Sequence, residues 1–196
     1  AGGHFAALNC TQLLTDFPAF DSVALGEGED LICELAEHLS EPSEVAGFCS
    51  RDTNGSPRVN PSPGNPANLD LIPFPRRGNF HSYFGKPIAS ILSSRGCWRS
   101  CAFCSIDAWY RSGGGPKFRV RSVPNIVEEM KELYFKYGVR IFNFQDDNFF
   151  LPKPEQALAR FTELRDQLFA AGVKDIAIAV KARPDSINRA ALSVLD

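Results

Sequence analysis

Strand and helix patterns alternate over the second half of this 196-residue chain. Apolar runs and helical periodicity predict, in order, strand 88–92, helix 124–137, strand 139–144, helix 155–171 and strand 175–180. Gly138 and Gly172 stand where helix C-caps are expected. Strands joined through helices pair in parallel, so the pattern predicts an α/β fold with a parallel sheet, open or closed into a barrel. Ligands of such folds bind beyond the carboxyl ends of the strands.

Three closely spaced cysteines follow the first of these strands. Cys97, Cys101 and Cys104 form a C-x3-C-x2-C run. Four thiolates would complete the ligands of a 4Fe-4S cluster, whereas three leave one iron open to a small molecule. Structural zinc normally takes four Cys or His ligands, and the nearest histidine in sequence is His81. A disulfide framework is typical of small secreted chains. The spacing favours a reactive iron–sulfur cluster, with zinc or a disulfide as the alternatives.

Composition restricts the other classes of function. The net charge is −2 and no basic block is present, so sequence-independent binding to nucleic acid is not expected. No apolar run reaches the length of a membrane span. Cys10, Cys33 and Cys49 are scattered singly, as expected for buried, reduced thiols. These features predict a cytoplasmic protein, a compartment that also suits an oxygen-sensitive cluster.

The amino-terminal part has a different pattern. Residues 22–25 predict a strand, and apolar residues from 31 to 39 predict a helix after a Gly-Glu-Gly-Glu turn. Asn54-Gly55 predicts a hairpin between two short strands. Five prolines between 61 and 79 predict a linker without regular structure. Its expected anchors on the protein surface are Leu69, Leu71, Ile72 and Phe74.

The cysteine run, with Phe103 just before its last member, resembles the signature of the radical S-adenosylmethionine (radical SAM) enzymes. The resemblance implies that Cys97, Cys101 and Cys104 hold a 4Fe-4S cluster whose open iron is chelated by the amino and carboxylate groups of SAM. Reductive cleavage of SAM would then give a 5′-deoxyadenosyl radical. The resemblance also implies that Phe103 lies against the adenine. The alternative for Phe103 is an aromatic core residue, since buried phenylalanine is common.

A second motif follows the second strand of the regular region. Asp146 and Asp147 end this strand and could receive an ammonium group, or they could form a solvated acidic turn. The run Phe144-Gln145-Asp146-Asp147-Asn148-Phe149 resembles a motif of radical SAM proteins that carry a cobalamin domain. The resemblance implies that Asp147, or failing that Asp146, binds the methionine amine. By the same reasoning Lys181 and Arg183 meet the substrate or the methionine carboxylate, unless they are ordinary surface charges.

The amino-terminal glycines carry a further resemblance. Gly2-Gly3 and the turn Gly26-Glu27-Gly28 are similar to the latter half of the cobalamin-binding domain of this subgroup, and residues 69–76 resemble its connector to the radical SAM domain. The resemblance implies that these five residues line the pocket for the nucleotide tail of cobalamin. An acidic turn entering a helix is favourable in any α/β fold, which is the alternative. The cobalt-ligating Asp-x-His-x-x-Gly run is absent from the chain, and His4 is not expected to replace it.

Together these features predict a fragment of a cobalamin-type radical SAM enzyme. The expected fold is α/β: residues 1–60 form the C-terminal part of a doubly wound cobalamin-binding domain, 61–87 a linker and 88–196 the first half of a partial (β/α)6 barrel. The expected cofactors are a 4Fe-4S cluster, SAM and cobalamin. The expected reaction is methyl transfer or a related C–H functionalisation of a small or lipid-like substrate, with flavodoxin or ferredoxin as reductant. A methylthiotransferase-like enzyme without cobalamin and a non-catalytic electron carrier are the alternatives.

Overall fold

The computed structural model describes residues 1–39, 41–187 and 189–194. The chain forms two compact units, Ala1–Ala67 with Arg99–Lys117 and Asn68–Trp98 with Phe118–Asp196. The first unit contains α1 (His4–Leu8), α2 (Cys10–Asp16), β1 (Ser22–Ala24), α3 (Gly28–Glu37), β2 (Phe48–Arg51), β3 (Pro57–Val59) and, later in the chain, α4 (Ser105–Ser112). The second contains β4 (Ser82–Tyr83), β5 (Lys86–Ile91), β6 (Ser94–Gly96), β7 (Phe118–Val120), α5 (Val123–Tyr137), β8 (Ile141–Phe144), α6 (Pro154–Ala170), β9 (Ala177–Ala179) and α7 (Arg189–Leu192). Short 3-10 turns occupy Pro42–Glu44, Leu69–Leu71 and Pro184–Ser186.

The first unit is built on a small antiparallel sheet in the order β1-β2-β3. The hairpin expected at Asn54-Gly55 is confirmed, with Gly55 at φ 80° between β2 and β3. Ala1 lies beside β1 in the parallel sense, since its amine donates to the carbonyl of Ser22 and its carbonyl accepts from the N–H of Ala24. The doubly wound arrangement predicted for residues 1–60 is not confirmed, because β1, β2 and β3 pair in antiparallel fashion.

Helix α4 completes the core of this unit. Its Trp109 and Tyr110 pack in one buried cluster with Ala6 of α1, Val23 of β1 and Cys49 of β2. The aromatic pair explains why a segment from the cysteine region belongs to this unit rather than to the parallel sheet.

Helix α3 buries less than its sequence predicts. Leu31 is buried, but Ile32 is 60% exposed. The prediction of a buried thiol is wrong for Cys33, which is exposed, whereas it is correct for Cys49. Cys33 lies two residues from Leu31, on the side of the helix away from the core, because one turn takes about 3.6 residues.

The second unit contains a four-stranded sheet in the order β4-β5-β8-β9. Strands β5, β8 and β9 are parallel, with Ala89 opposite Phe142 and Phe142 opposite Ile178. The parallel sheet predicted from the alternation of strands and helices is therefore confirmed, while its closure into a barrel is not. β4 adds an antiparallel hairpin at the edge.

Helices α5 and α6 begin and end where the sequence predicts. The hydroxyl of Ser122 caps α5 by accepting from the N–H of Asn125, and Gly138 ends it in the left-handed conformation at φ 69°. Pro154 opens α6, and Gly172 follows it at φ 76°. The buried faces of both helices pack on β5 and β8 in a single core centred on Met130, Phe142, Phe144 and Phe161.

The proline-rich segment is anchored by some of the predicted residues. Leu69 is buried, and the guanidinium of Arg121 lies 5.3 Å from the ring centroid of Phe74. Leu71 is 79% exposed, so its prediction as an anchor is wrong. The 3-10 turn Leu69–Leu71 buries its first residue and turns its last one outward. Within the described part of the chain, no helix is long and apolar enough to cross a membrane.

Candidate functional site

The segments that leave the three parallel strands meet at the carboxyl edge of the second unit's sheet. Ile91, the last residue of β5, lies opposite Phe144, the last of β8. The N–H of Gln145 donates to the carbonyl of Ile91 at 2.9 Å, and the N–H of Phe149 donates to the carbonyl of Lys181 after β9 at 3.0 Å. The topology therefore places the segment before the cysteines, the Asp146-Asp147 pair and the Lys181–Arg183 segment at the same edge, as predicted.

Asp146 is the most enclosed acidic group at this edge. Its side chain has no solvent exposure. Its carboxylate accepts from the N–H of Ser93 at 3.1 and 3.2 Å, from the hydroxyl of Ser93 at 2.8 Å and from the hydroxyl of Ser94. These donors stabilise a charge that would otherwise be costly to bury.

A buried ion-pair network lies beside this contact. Glu129, 1% exposed, accepts from Arg77 at 2.6 Å and from Arg121 at 2.5 Å. The same Arg121 nitrogen donates to the carbonyl of Leu92 at 2.7 Å, and Arg77 donates to the carbonyl of Ser90 at 2.8 Å. The network therefore binds backbone carbonyls of the chain where it leaves β5.

Arg160 of α6 reaches the same backbone. It donates to the carbonyls of Ser93 at 3.3 Å and Arg121 at 2.8 Å. Burial lowers the pKa of Arg160 below its usual value, and the negative charge of Asp146 works in the opposite direction. Asp146 and Arg160 thus both bind Ser93 in the segment after β5: Asp146 accepts from its N–H and hydroxyl, and Arg160 donates to its carbonyl.

Asp147, Lys181 and Arg183 have surroundings that differ from those of Asp146. Asp147 is exposed to solvent, although it is the next residue along the chain. Arg183 pairs with Asp185 through two hydrogen bonds of 2.9 and 3.0 Å, so its guanidinium is already held by a carboxylate. Lys181 is exposed as well. The ligand contacts predicted for Asp147, Asp146, Lys181 and Arg183 stay predictions.

Cys97 belongs to the second unit. It directly follows β6, which pairs with β7 in antiparallel register, Ser94 opposite Val120 and Gly96 opposite Phe118. Trp98, on the other side of Cys97, donates from its indole N–H to the carbonyl of Phe150 at 3.0 Å. The β6–β7 pair was not predicted, because three-residue strands leave little periodicity to detect.

Cys101 and Cys104 belong to the first unit and lie in one tight turn. The N–H of Cys104 donates to the carbonyl of Cys101 at 3.0 Å. Cys104 is also the N-cap residue of α4, and the amide end of a helix stabilises an anionic sulfur ligand.

A clasp formed by Ser100, Asp107 and Lys117 surrounds this turn. Lys117 donates to the hydroxyl of Ser100 at 2.8 Å and to the carboxylate of Asp107 at 3.0 Å. Arg111 pairs with the other oxygen of Asp107 at 2.9 Å. Lys117 first, and then Arg111 and Ser100, hold the pKa of Asp107 below its usual value. The clasp joins the residue before Cys101 to the helix after Cys104.

Thiolates are the donors that hold iron–sulfur clusters, and the role of the three cysteines as cluster ligands stays a prediction. Cys97, Cys101 and Cys104 are free thiols of intermediate exposure, so the disulfide alternative receives no support. In the described part of the chain, no group of three His, Cys, Asp or Glu side chains is arranged to hold a metal ion. Phe103, between the last two cysteines, is 91% exposed, which rules out its alternative as a core residue and leaves its ring open to a ligand.

The five residues predicted to line a cobalamin pocket flank β1. Gly2 and Gly3 precede α1, and Gly26, Glu27 and Gly28 connect β1 to α3. A Cβ on Gly26 would come within 3.3 Å of the Ser62 hydroxyl, so a side chain there would push Ser62 aside by a few tenths of an ångström, whereas a Cβ on Gly28 would meet open space.

Asn65 supports the same turn. Its side-chain oxygen accepts from the N–H of Glu27 at 3.3 Å. Asn65 is buried, yet among the described residues its Nδ2 has no hydrogen-bond partner. A buried donor left over beside the Gly26–Gly28 turn fits a polar ligand group, and cobalamin would supply one.

The Gly113-Gly114-Gly115 run packs closely against Asn65. The carbonyl of Gly114 accepts from the N–H of Asn65 at 3.1 Å. A Cβ on Gly115 would lie 3.2 Å from the carbonyl oxygen of Asn65, and Gly114 and Gly115 both have positive φ. The run is therefore glycine because backbone approaches backbone there.

Comparison with known proteins agrees with this geometry. Residues 91–195 match the family model described as the radical SAM superfamily. This match begins at the end of β5 and includes the cysteine run and the Asp146-Asp147 segment. The chain belongs to the radical SAM superfamily.

Two of the relatives are named as methyltransferases. The chain is 30% identical over 78% of its length to "Uncharacterized methyltransferase PH0819" of Pyrococcus horikoshii, covering 34% of that protein. It is 32% identical over 68% of its length to cytidylyl-2-hydroxyethylphosphonate methyltransferase of Streptomyces wedmorensis, covering 31% of it. The chain thus spans about a third of these curated relatives.

A solved structure shares the fold. The cobalamin-dependent S-adenosylmethionine radical enzyme OxsB, with aqua-cobalamin and S-adenosylmethionine bound, matches 96% of this chain at a TM-score of 0.67, with 19% sequence identity and 26% of its own chain covered. At that identity the match shows an α/β fold like that of OxsB.

Several residues that shape the site escaped the sequence analysis. Glu129 carried a detectable signal, because it occupies the apolar stripe of α5 between Ile126 and Leu133, where a carboxylate implies a buried partner. Ser93 and Ser94 carried only a weak one, as hydroxyls directly before the cysteines. Asn65 carried none, because its contact with Glu27 joins distant parts of the chain, whereas the Asp107–Arg111 pair has the i,i+4 spacing of a helix.

Proposed function

We propose that this chain is the central part of a cobalamin-dependent radical SAM methyltransferase. The observation that carries the proposal is the Cys97-x3-Cys101-x2-Cys104 run, which leaves a parallel sheet at its carboxyl edge. The superfamily match, the methyltransferase names of two relatives and the fold shared with OxsB support it. When bound, a 4Fe-4S cluster supplies the electron that cleaves SAM.

In this proposal the three cysteines hold the cluster and leave one iron to SAM. Phe103 stacks on the adenine, for which its 91% exposure leaves room. Asp147 accepts a hydrogen bond from the methionine ammonium, and its exposure permits this contact. Asp146 is the second candidate for the ammonium. Arg183 and Lys181 face the methionine carboxylate or the substrate.

Cobalamin is the second cofactor of the proposal. Gly2, Gly3, Gly26, Glu27 and Gly28 line the pocket of its nucleotide tail, and the unpartnered Nδ2 of Asn65 beside Glu27 supports this assignment. Residues 1–60 would be the end of a doubly wound cobalamin domain, and the parallel pairing of Ala1 with β1 is consistent with it. Residues 61–87 would be the linker and 88–196 the first half of a (β/α)6 barrel.

The proposal extends to partners and location. The substrate is a small or lipid-like molecule, and a flavodoxin or ferredoxin delivers the electron. A cytoplasmic location agrees with six free cysteines. In the full-length enzyme the protein positions the cofactors and excludes competing reactions.

Cofactor stoichiometry tests the proposal. The full-length protein, reconstituted without oxygen, should hold about four irons and four sulfides per chain, as one 4Fe-4S cluster requires. It should also retain one cobalamin through gel filtration, measured by absorbance. A full cluster without cobalamin would favour the methylthiotransferase-like alternative. A protein with no cluster would overturn the assignment of the cysteines.

A further inference from the structure

Two anchors flank Cys97, and both attach it to the segment after β8. Upstream, Ser93 and Ser94 donate to the carboxylate of Asp146. Downstream, the indole of Trp98 donates to the carbonyl of Phe150 at 3.0 Å. Hydrogen bonds therefore hold the chain on both sides of Cys97. They lie at Ser93 and Ser94, four and three residues before it, and at Trp98, one residue after it.

The carboxylate of Asp146 is occupied by these contacts. Oδ1 accepts from the N–H and the hydroxyl of Ser93 and from the hydroxyl of Ser94, and Oδ2 accepts from the same N–H of Ser93, so each carboxylate oxygen has a protein donor. With no solvent exposure, the group has no open side toward a ligand. Asp147, the adjacent residue, has that open side.

The backbone of Ser93 is also fixed from its carbonyl. That oxygen accepts from the N–H of Arg121 at 2.9 Å and from Arg160 at 3.3 Å. The β6–β7 ladder starts at the next residue, Ser94. The chain therefore enters the cysteine run with little freedom, and Asp146 supplies the only acidic partner among these contacts of Ser93 and Ser94 in the described residues.

We propose that Asp146 is a positioning residue for the cluster: through Ser93 and Ser94 it fixes the place at which Cys97 presents its thiolate, and it does not bind SAM itself. This inference rests on the proposed function. It divides the Asp146-Asp147 pair into an inner carboxylate that orients a cluster ligand and an outer one that meets SAM. Orienting groups of this kind tune metal sites without touching the metal.

The two roles predict different spectra. If Asp146 positions Cys97, its loss changes the cluster before any SAM is added, because one thiolate ligand is less well held. If Asp146 binds SAM, its loss leaves the SAM-free cluster unchanged and weakens only SAM binding. Electron paramagnetic resonance (EPR) of the reduced cluster without SAM separates these cases, and a role in folding alone would not move that signal in a cluster-loaded, folded protein.

The experiment uses Asp146→Asn, Ser94→Ala and the double variant in the full-length protein, with Asp166→Asn on the exposed face of α6 as the control. We expect the first two to show the same altered SAM-free EPR signal and to release iron to a chelator about fivefold faster or more, as a lost charge-assisted hydrogen bond permits. The double variant should be no worse than Asp146→Asn, since both act through one contact. The control should match the wild type.

Opposite results would overturn the inference. A SAM-free signal identical to the wild type, together with SAM affinity about tenfold weaker in Asp146→Asn only, would assign Asp146 to SAM. If Asp146→Asn does not fold, Ser94→Ala decides, because it removes one hydroxyl donor and leaves the buried charge paired: an unchanged SAM-free signal there rejects the positioning role. A wild-type protein that holds no cluster would reject the proposed function itself, an outcome that the wild-type sample alone reveals.

Discussion

The hydroxyl of Ser93 donates to the carboxylate of Asp146 at 2.8 Å, and the N–H of the same serine donates to it as well. Ser93, which precedes the cysteine run, thus donates hydrogen bonds from both its side chain and its backbone to one buried carboxylate. Because this acid follows the carboxyl end of β8 and Ser93 follows that of β5, the contact joins the segments that leave two parallel strands. Its neighbour Asp147 is exposed to solvent, and the first prediction concerns this residue.

Asp147→Asn should weaken SAM binding by about 1.5 to 3 kcal/mol, the cost of a charge-assisted hydrogen bond. The substitution keeps the shape of the side chain and removes its charge, so the cluster should be unaffected. SAM affinity, measured by titration of the cluster-loaded full-length protein, checks this. Asp166→Asn, which alters another exposed acid on α6, is the control. Unchanged SAM affinity would favour the alternative, in which Asp147 belongs to a solvated acidic turn.

Glu129→Ala should destabilise the protein by about 3 to 5 kcal/mol, because it leaves the buried guanidinium of Arg121 and the partly buried one of Arg77 without their shared carboxylate. Glu132→Ala, one turn away on the exposed face of α5, should change stability by less than about 0.5 kcal/mol. Urea unfolding followed by circular dichroism measures both. Equal effects would show that the buried network does not stabilise the sheet edge.

Cys33 and Cys49 should differ sharply in alkylation of the folded protein. Burial first, and then contact with Cys10, raise the pKa of Cys49 to about 12. At pH 8 its thiol therefore stays protonated as well as inaccessible, whereas Cys33 is exposed. Mass spectrometry after brief iodoacetamide treatment should find Cys33 modified and Cys49 unmodified. Alkylation of Cys49 at a similar rate would contradict its buried position on β2.

The sequence predicted the parts of the fold whose local pattern and packing agree. The β5-α5-β8-α6-β9 order followed from apolar periodicity, and the carboxyl end of α5 followed from Gly138. The exposure of Leu71 and Cys33 did not follow, because helical or apolar character does not say which side faces a core.

The candidate site was predictable to a similar degree. The spacing of the cysteine run and its resemblance to the family signature predict three ligands, and this assignment stays a prediction. The distinction between Asp146 and Asp147 needed the structure, since two adjacent, identical side chains differ there only in what surrounds them. The contact between Asp107 and Lys117 also needed the structure, because the two residues are ten positions apart in the sequence.

Cys101→Ala should abolish stable cluster binding, because two thiolates do not hold a 4Fe-4S unit with a defined open iron. Cys33→Ala is the matched control: its thiol is exposed on α3, so its removal costs little packing and should spare the iron. Iron and sulfide content of the two full-length variants checks this. Loss of iron from the Cys33 variant and retention by the Cys101 variant would reverse the assignment of ligands.

The release of 5′-deoxyadenosine tests the central claim most directly. The full-length protein, loaded with its cluster and given SAM and a strong reductant without oxygen, should form 5′-deoxyadenosine, and the Cys101→Ala variant should form none. Chromatography with mass detection quantifies the product. A wild-type preparation with about four irons per chain that yields no 5′-deoxyadenosine under any reductant would contradict the account and favour an electron carrier.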